Sequence, residues 1–179
     1  MSNSHRHIPP EMLDCVIDLL HDDPETLRQC CLVSKSWVLR TRMHLFAEIK
    51  FHFPSDLESW KKTSPDVTNS PACQVHTLFV GCPWFVTASD AEEGGWIRAF
   101  SGVANLYVHG GDRYLRSSDV QSLAPLYNFS PSLKSLCVGP ILLPYPQVFN
   151  LIRSFPFLED LNLTGYVDSL VKGDYPSRP

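Results

Sequence analysis

The sequence has little charge and no long apolar run. Asp, Glu, Lys and Arg make up 19% of its 179 residues, and the net charge is −4, whereas about 25% charged residues is usual for a soluble domain. A chain with this balance lacks the basic surface that displaces counterions from phosphates, so it does not read as a general nucleic-acid binder. Its apolar stretches are broken by Pro or charge and fall short of the ~20 residues of a transmembrane helix, so no membrane span is expected. Residues 1–7 are polar and open no signal-peptide core. The six cysteines, at 15, 30, 31, 73, 82 and 137, include no Cys-x-x-Cys pair. Cys30 and Cys31 are adjacent, which rarely suits one bridge or one tetrahedral metal. A chain of this length needs no disulfide staple, so the cysteines are expected as reduced, buried thiols. These features point to the cytoplasm or nucleus, where the Asn128 and Asn162 sequons would carry no glycan.

Catalytic motifs are also missing. There is no Gly-x-x-x-x-Gly-Lys-Ser/Thr loop, no Gly-x-Gly-x-x-Gly and no His-Glu-x-x-His. His5-x-His7 is a lone pair in a tail expected to be disordered. Cys73 and His76 have no third group to orient them. Adjacent carboxylates such as Asp22-Asp23 and Glu159-Asp160 point apart on a helix or strand. No catalytic residue, cofactor or metal site is expected.

What is present divides near residue 46. In residues 8–20, Leu13, Val16, Ile17 and Leu20 fall at i, i+3, i+4 and i+7, one face of a helix. Pro9 and Pro10 stand at its start. Asp23-Pro24 reads as an N-cap followed by a first helical residue. Leu27, Cys30, Cys31 and Ser34 continue at helical spacing, with Trp37 one turn on, and a third short helix is expected from about Thr41 to Phe46. Residues 8–27 carry six acids and no base, and residues 28–50 carry five bases and one acid. This reads either as two solvated faces or as a docking surface with an acidic and a basic end.

Ile8-Pro9-x-Glu11-x-Leu13-x-x-x-Ile17-x-x-Leu20, then Asp23-Pro24-x-Thr26-Leu27-x-x-Cys30-Cys31-Leu32-Val33-Ser34-Lys35-Ser36-Trp37, resembles a fungal-type F-box. The family usually opens with Leu-Pro, where this chain has Ile8-Pro9, and closes on a Val-x-Lys/Arg-x-Trp turn. The resemblance covers residues 8–46. It implies a three-helix module that docks on a Skp-type adaptor, and through it on a cullin ubiquitin ligase. The docking residues it implies are Ile8, Pro9, Leu13, Ile17, Leu20, Leu27, Cys31, Val33, Lys35 and Trp37. A module of about forty residues cannot bury all of these by itself.

Residues 47–172 repeat an apolar-x-x-apolar-x-apolar pattern, ahead of a short tail at 173–179. Copies start at Phe46, Val75, Val103, Leu133 and Leu158, with spacings of 29, 28, 30 and 25. Such a period is the signature of leucine-rich repeats. Each copy ends in a short strand whose alternate residues point inward, and about twenty residues return the chain to lay the next strand in parallel. Returning segments at 56–62, 90–100, 119–127 and 147–155 are expected to be helical in part. The family's asparagine position holds Pro54, Pro83, Gly111, Ile141 and Tyr166 instead, so the array is irregular and its turns must be satisfied otherwise. The expected fold is α/β: three N-terminal helices followed by a short, irregular, leucine-rich-repeat-like solenoid.

In such a solenoid the alternate strand residues face outward in columns. The middle column is Lys50, Phe79, Tyr107, Cys137 and Asn162, flanked by Glu48, Thr77, Asn105, Ser135 and Asp160. Lys50, Phe79, Tyr107 and Asn162 are the candidates for holding a substrate protein, with the two aromatics as anchors. Two readings follow. In one, the chain is a non-catalytic adaptor that docks a ligase and presents a substrate. In the other, it is an interaction solenoid whose F-box-like helices cap its N-terminal edge.

Overall fold

Proline opens the first two helices, where its missing N–H has no partner to lose. In a computed structural model of the chain, which describes residues 9–66, 68–81, 97–109, 115–116, 126–139, 141–142 and 145–164, α1 spans Pro10–Asp18 and α2 spans Pro24–Val33. Asp23 caps α2: its carboxylate accepts from the Thr26 N–H at 3.0 Å and the Thr26 hydroxyl at 2.6 Å. The third helix, α3, spans Lys35–Leu45 and begins six residues before the expected Thr41. Helical periodicity carried the second helix on to Trp37, but Ser34 is extended, with φ −154° and ψ 144°, and ends α2. Its hydroxyl accepts from the Ser36 N–H, capping α3. A residue that caps one helix and terminates another keeps the apolar spacing across the break, so spacing alone does not show it.

The chain divides into two compact units, residues 1–48 and 49–179. In the first, α3 packs on both α2 and α1. In the second, which β1 enters from the last residue of the first, five strands form one sheet in chain order: β1 (Glu48–Phe51), β2 (Thr77–Gly81), β3 (Asn105–His109), β5 (Ser135–Gly139) and β7 (Asp160–Leu163). All five lie where the repeat placed them. The pairings of β2 with β3, β3 with β5, and β5 with β7 are parallel and in register, Leu78 beside Leu106, Leu106 beside Leu136, and Leu136 beside Leu161. Two further short strands, β4 (Leu115–Arg116) and β6 (Ile141–Leu142), form a small parallel ladder that the repeat pattern did not foresee.

The inward positions form the core. Val75, Val103 and Leu133 are buried, as are Leu78, Leu106 and Leu136, and Val80, Val108 and Val138. Between strands the chain returns through α4 (Pro54–Thr63) and α5 (Tyr145–Arg153). It also returns through 3-10 turns at Pro71–Gln74, Ile97–Ala99 and 126–129. The described parts of the expected helices at 90–100 and 119–127 are therefore 3-10 turns, and the rest of both segments lies outside the described residues. Phe51, Trp60 and Phe100 fill the space behind β1, their ring centroids 5.9–6.1 Å apart.

Without the asparagine series, adjacent repeats are tied at the strand entrances. The His76 carbonyl accepts from both Ala104 and Asn105 N–H, the Ala104 carbonyl from Lys134 and Ser135, and the Lys134 carbonyl from Glu159 and Asp160. The Ser132 hydroxyl adds a bond to the Val103 carbonyl at 2.8 Å. These ties bring backbones close. A Cβ on Gly102 would stand 2.7 Å from the Cys73 carbonyl oxygen, an approach only glycine allows without a backbone shift. Gly102→Ala is therefore expected to destabilise the second unit by about 1–3 kcal/mol. Urea unfolding would show this as a lower midpoint, and an unchanged midpoint would refute the close approach.

Candidate interaction surfaces

The first unit carries an apolar surface that it does not bury. Helix α1 carries one broad apolar arc, with Glu11, Asp14 and Asp18 on its opposite half. Ile17 is only 1% exposed, and Leu13 and Leu20 are half-buried. On the adjoining flank Met12 and Val16, with Leu19 at the C-cap, are exposed, Leu19 to 82%. Leu32 (81% exposed), Val33, Leu39 and Met43 add to the exposed set from α2 and α3. Of the residues implied by the family resemblance, Pro9, Val33 and Lys35 are exposed, and Cys31 and Trp37 are half-buried. Leu27, like Ile17, is interior. Ile8 lies outside the described residues. Ile17 and Leu27 therefore hold the helices together and support a surface rather than form it. Sequence reasoning missed Met12, Leu19 and Leu39. The signal was there, since 12, 16 and 19 widen the apolar arc in the same window.

A polar clip joins α1 to α3. Arg40 and His44, one turn apart on α3, both donate to the Asp18 carboxylate, from Arg40 Nε at 2.6 Å, from a second Arg40 nitrogen, and from His44 Nε2 at 2.8 Å. Glu25 pairs with Arg28 at 3.0 Å. Part of the acidic-then-basic order of the sequence is thus used for internal pairing. Hydrogen bonds from Arg40 and then His44 hold the Asp18 carboxyl well below the usual carboxylate range. A carboxyl depressed by folding adds stability above its unfolded value of about 4, and that contribution is lost as pH falls through the folded value.

The sheet places the outward residues as the repeat implied. Phe79 stands beside Tyr107, Tyr107 beside Cys137, and Cys137 beside Asn162. The Phe79 and Tyr107 rings stack with centroids 4.4 Å apart and planes 10° from parallel. Lys50 Nζ lies 4.9 Å from the Phe79 ring centre, a cation on an aromatic face. Lys50 and Asn162 are exposed, and both rings are half-buried. In the flanking column, Asn105 donates to the Thr77 hydroxyl at 3.2 Å. His109, in the next column, donates through Nδ1 to the Gly139 carbonyl at 3.2 Å. Among the described residues no group of three His, Cys, Asp or Glu could hold a metal, and no helix is long and apolar enough to cross a membrane.

No protein-family model matches the chain, and no curated protein or solved structure is significantly similar to it.

The thiols differ from expectation. Cys30 is buried and Cys31 and Cys137 are half-buried, but Cys15 and Cys73 are exposed, and Cys82 lies outside the described residues. An apolar neighbourhood in sequence does not make a side chain face inward; Cys15 falls on the open side of α1. Cys15 and Cys73 are expected to react with a thiol reagent in the native protein and Cys30 only on unfolding, read by mass spectrometry of the labelled peptides. For the clip, Asp18→Asn is expected to lower the thermal midpoint at pH 7. Between about pH 4 and pH 2 the variant should then lose less stability than wild type. Circular dichroism melts at both ends of that window provide the check, and parallel losses would refute the clip.

Proposed function

We propose that the chain is a non-catalytic substrate receptor of a ubiquitin ligase. In this reading the first unit is an F-box that docks on a Skp-type adaptor and through it on a cullin. The second unit, a degenerate leucine-rich-repeat-like array, presents a substrate protein on its outward sheet face. The chemistry then lies in other subunits, and the complex works in the cytoplasm or nucleus.

One observation carries this reading: α1 leaves one flank of its apolar arc, Met12 and Val16 with Leu19 at the C-cap, exposed. A helix packed on a single core buries its apolar arc and leaves its polar half to solvent. Here Met12, Val16 and Leu19 stay exposed although Leu13, Ile17 and Leu20 already serve the interior. Exposed apolar side chains on successive turns of one helix are the kind of feature a partner covers. The receptor half rests on the outward column, where two stacked aromatics stand on a rigid sheet.

The test is co-purification of the full chain with a Skp-type adaptor, wild type beside a Val16→Asp, Leu19→Asp double variant. Both residues are exposed, so the variant is expected to keep its circular dichroism spectrum. A stable wild-type complex, weakened about tenfold or more in the variant, is the expected outcome. A folded wild type that forms no complex would overturn the docking role.

A further inference from the structure

The outward column steps down after its second aromatic. Phe79 and Tyr107 stack 4.4 Å apart, close to one strand spacing, so their faces look along the row of strands. Lys50 lies over the far face of Phe79. The far face of Tyr107 looks over Cys137, a small side chain, toward Asn162 on β7. Strands stand about 4.8 Å apart, so the columns of β3 and β7 are separated by roughly 10 Å. That gap admits one planar group at a van der Waals distance of about 3.5–4 Å from the ring. In the flanking column, Asp160 stands beside Ser135 at the same end of the gap. Asp160 is exposed and meets no cation among the described residues. The neighbouring base, Lys134, is paired with Glu159 at 3.2 Å.

We infer that this gap receives an arginine side chain of the bound protein. The guanidinium stacks on the open face of Tyr107 and donates to the Asp160 carboxylate. Three properties select arginine. The open ring face attracts a cation, as its counterpart on Phe79 already does with Lys50. The gap is one planar group wide, which suits a guanidinium better than an ammonium. Asp160 supplies a carboxylate to which a stacked guanidinium can still present its N–H edge. The inference rests on the receptor reading for the role of this face, but it makes its own demand on ligand chemistry.

The test uses the full chain and the peptides Gly-Ser-X-Ser-Gly, with X as arginine, lysine, citrulline or norleucine. Binding is followed through the Tyr107 ring signals in aromatic NMR spectra, assigned with Tyr107→Leu. The arginine peptide is expected to shift these signals saturably, with the lysine peptide at least about fivefold weaker. Citrulline, which keeps the planar shape but loses the charge, is expected to cause no saturable shift. Asp160→Asn, a change at an exposed position, is expected to weaken the arginine peptide about tenfold. Equal binding of citrulline or norleucine, indifference to Asp160→Asn, or no response to any peptide would each overturn the inference. Adaptor co-purification is scored separately. An adaptor complex without a peptide response removes only the arginine site, whereas a peptide response without an adaptor complex leaves the site and removes the ligase role.

Discussion

The second unit depends on one constraint: no repeat can bury its own apolar residues. A single strand and its return expose both flanks, so Leu106 is fully enclosed only because Leu78 and Leu136 stand beside it in register. The double acceptance at the His76, Ala104 and Lys134 carbonyls holds that register at each strand entrance. A slip of one residue would turn the inward set outward, because strand side chains alternate. The fifth copy shows the constraint from the other side. Its sequence matches the pattern, yet Leu161 is 38% exposed and Leu158 and Leu163 are only half-buried. β7 pairs with β5 alone within the five-stranded sheet.

The same constraint explains which parts could be read from sequence. A residue that every neighbour must match recurs, and recurrence is visible in one chain. All five sheet strands, and with them the middle outward column, were therefore legible from the spacing of Phe46, Val75, Val103, Leu133 and Leu158. The returning segments have no such obligation, since a helix and a 3-10 turn both close the loop, and there the reading was coarser. In the first unit the difficulty is of another kind. A window in which 12, 13, 16, 17, 19 and 20 are all apolar forms one broad helical arc, and local spacing cannot say which flank turns inward. The Asp18 clip reaches 22 and 26 residues along the chain to Arg40 and His44. No short-range pattern foretells a contact of that span.

The two sides of the sheet answer to different demands, and their composition shows it. Behind β2, β3 and β5 the same volume must be filled at each level, and the residues are Leu and Val throughout. The outward column has no such duty: Lys50, Phe79, Tyr107, Cys137 and Asn162 share neither size nor charge. Uniformity behind the sheet supplies stability, and variety in front of it is available for recognition at little cost to folding. The Phe79–Tyr107 stack, on the outward face, meets both demands, since two rings one strand apart stabilise the pairing of β2 and β3 as cross-strand aromatics do. An anchor that also braces its sheet is held in place before any ligand arrives, and a preorganised side chain loses less freedom on binding than a mobile one. On α1 the corresponding demand falls on a single helix. Its inner side holds the unit together and Asp18 pins its end to α3, which leaves Met12, Val16 and Leu19 in a fixed array facing outward.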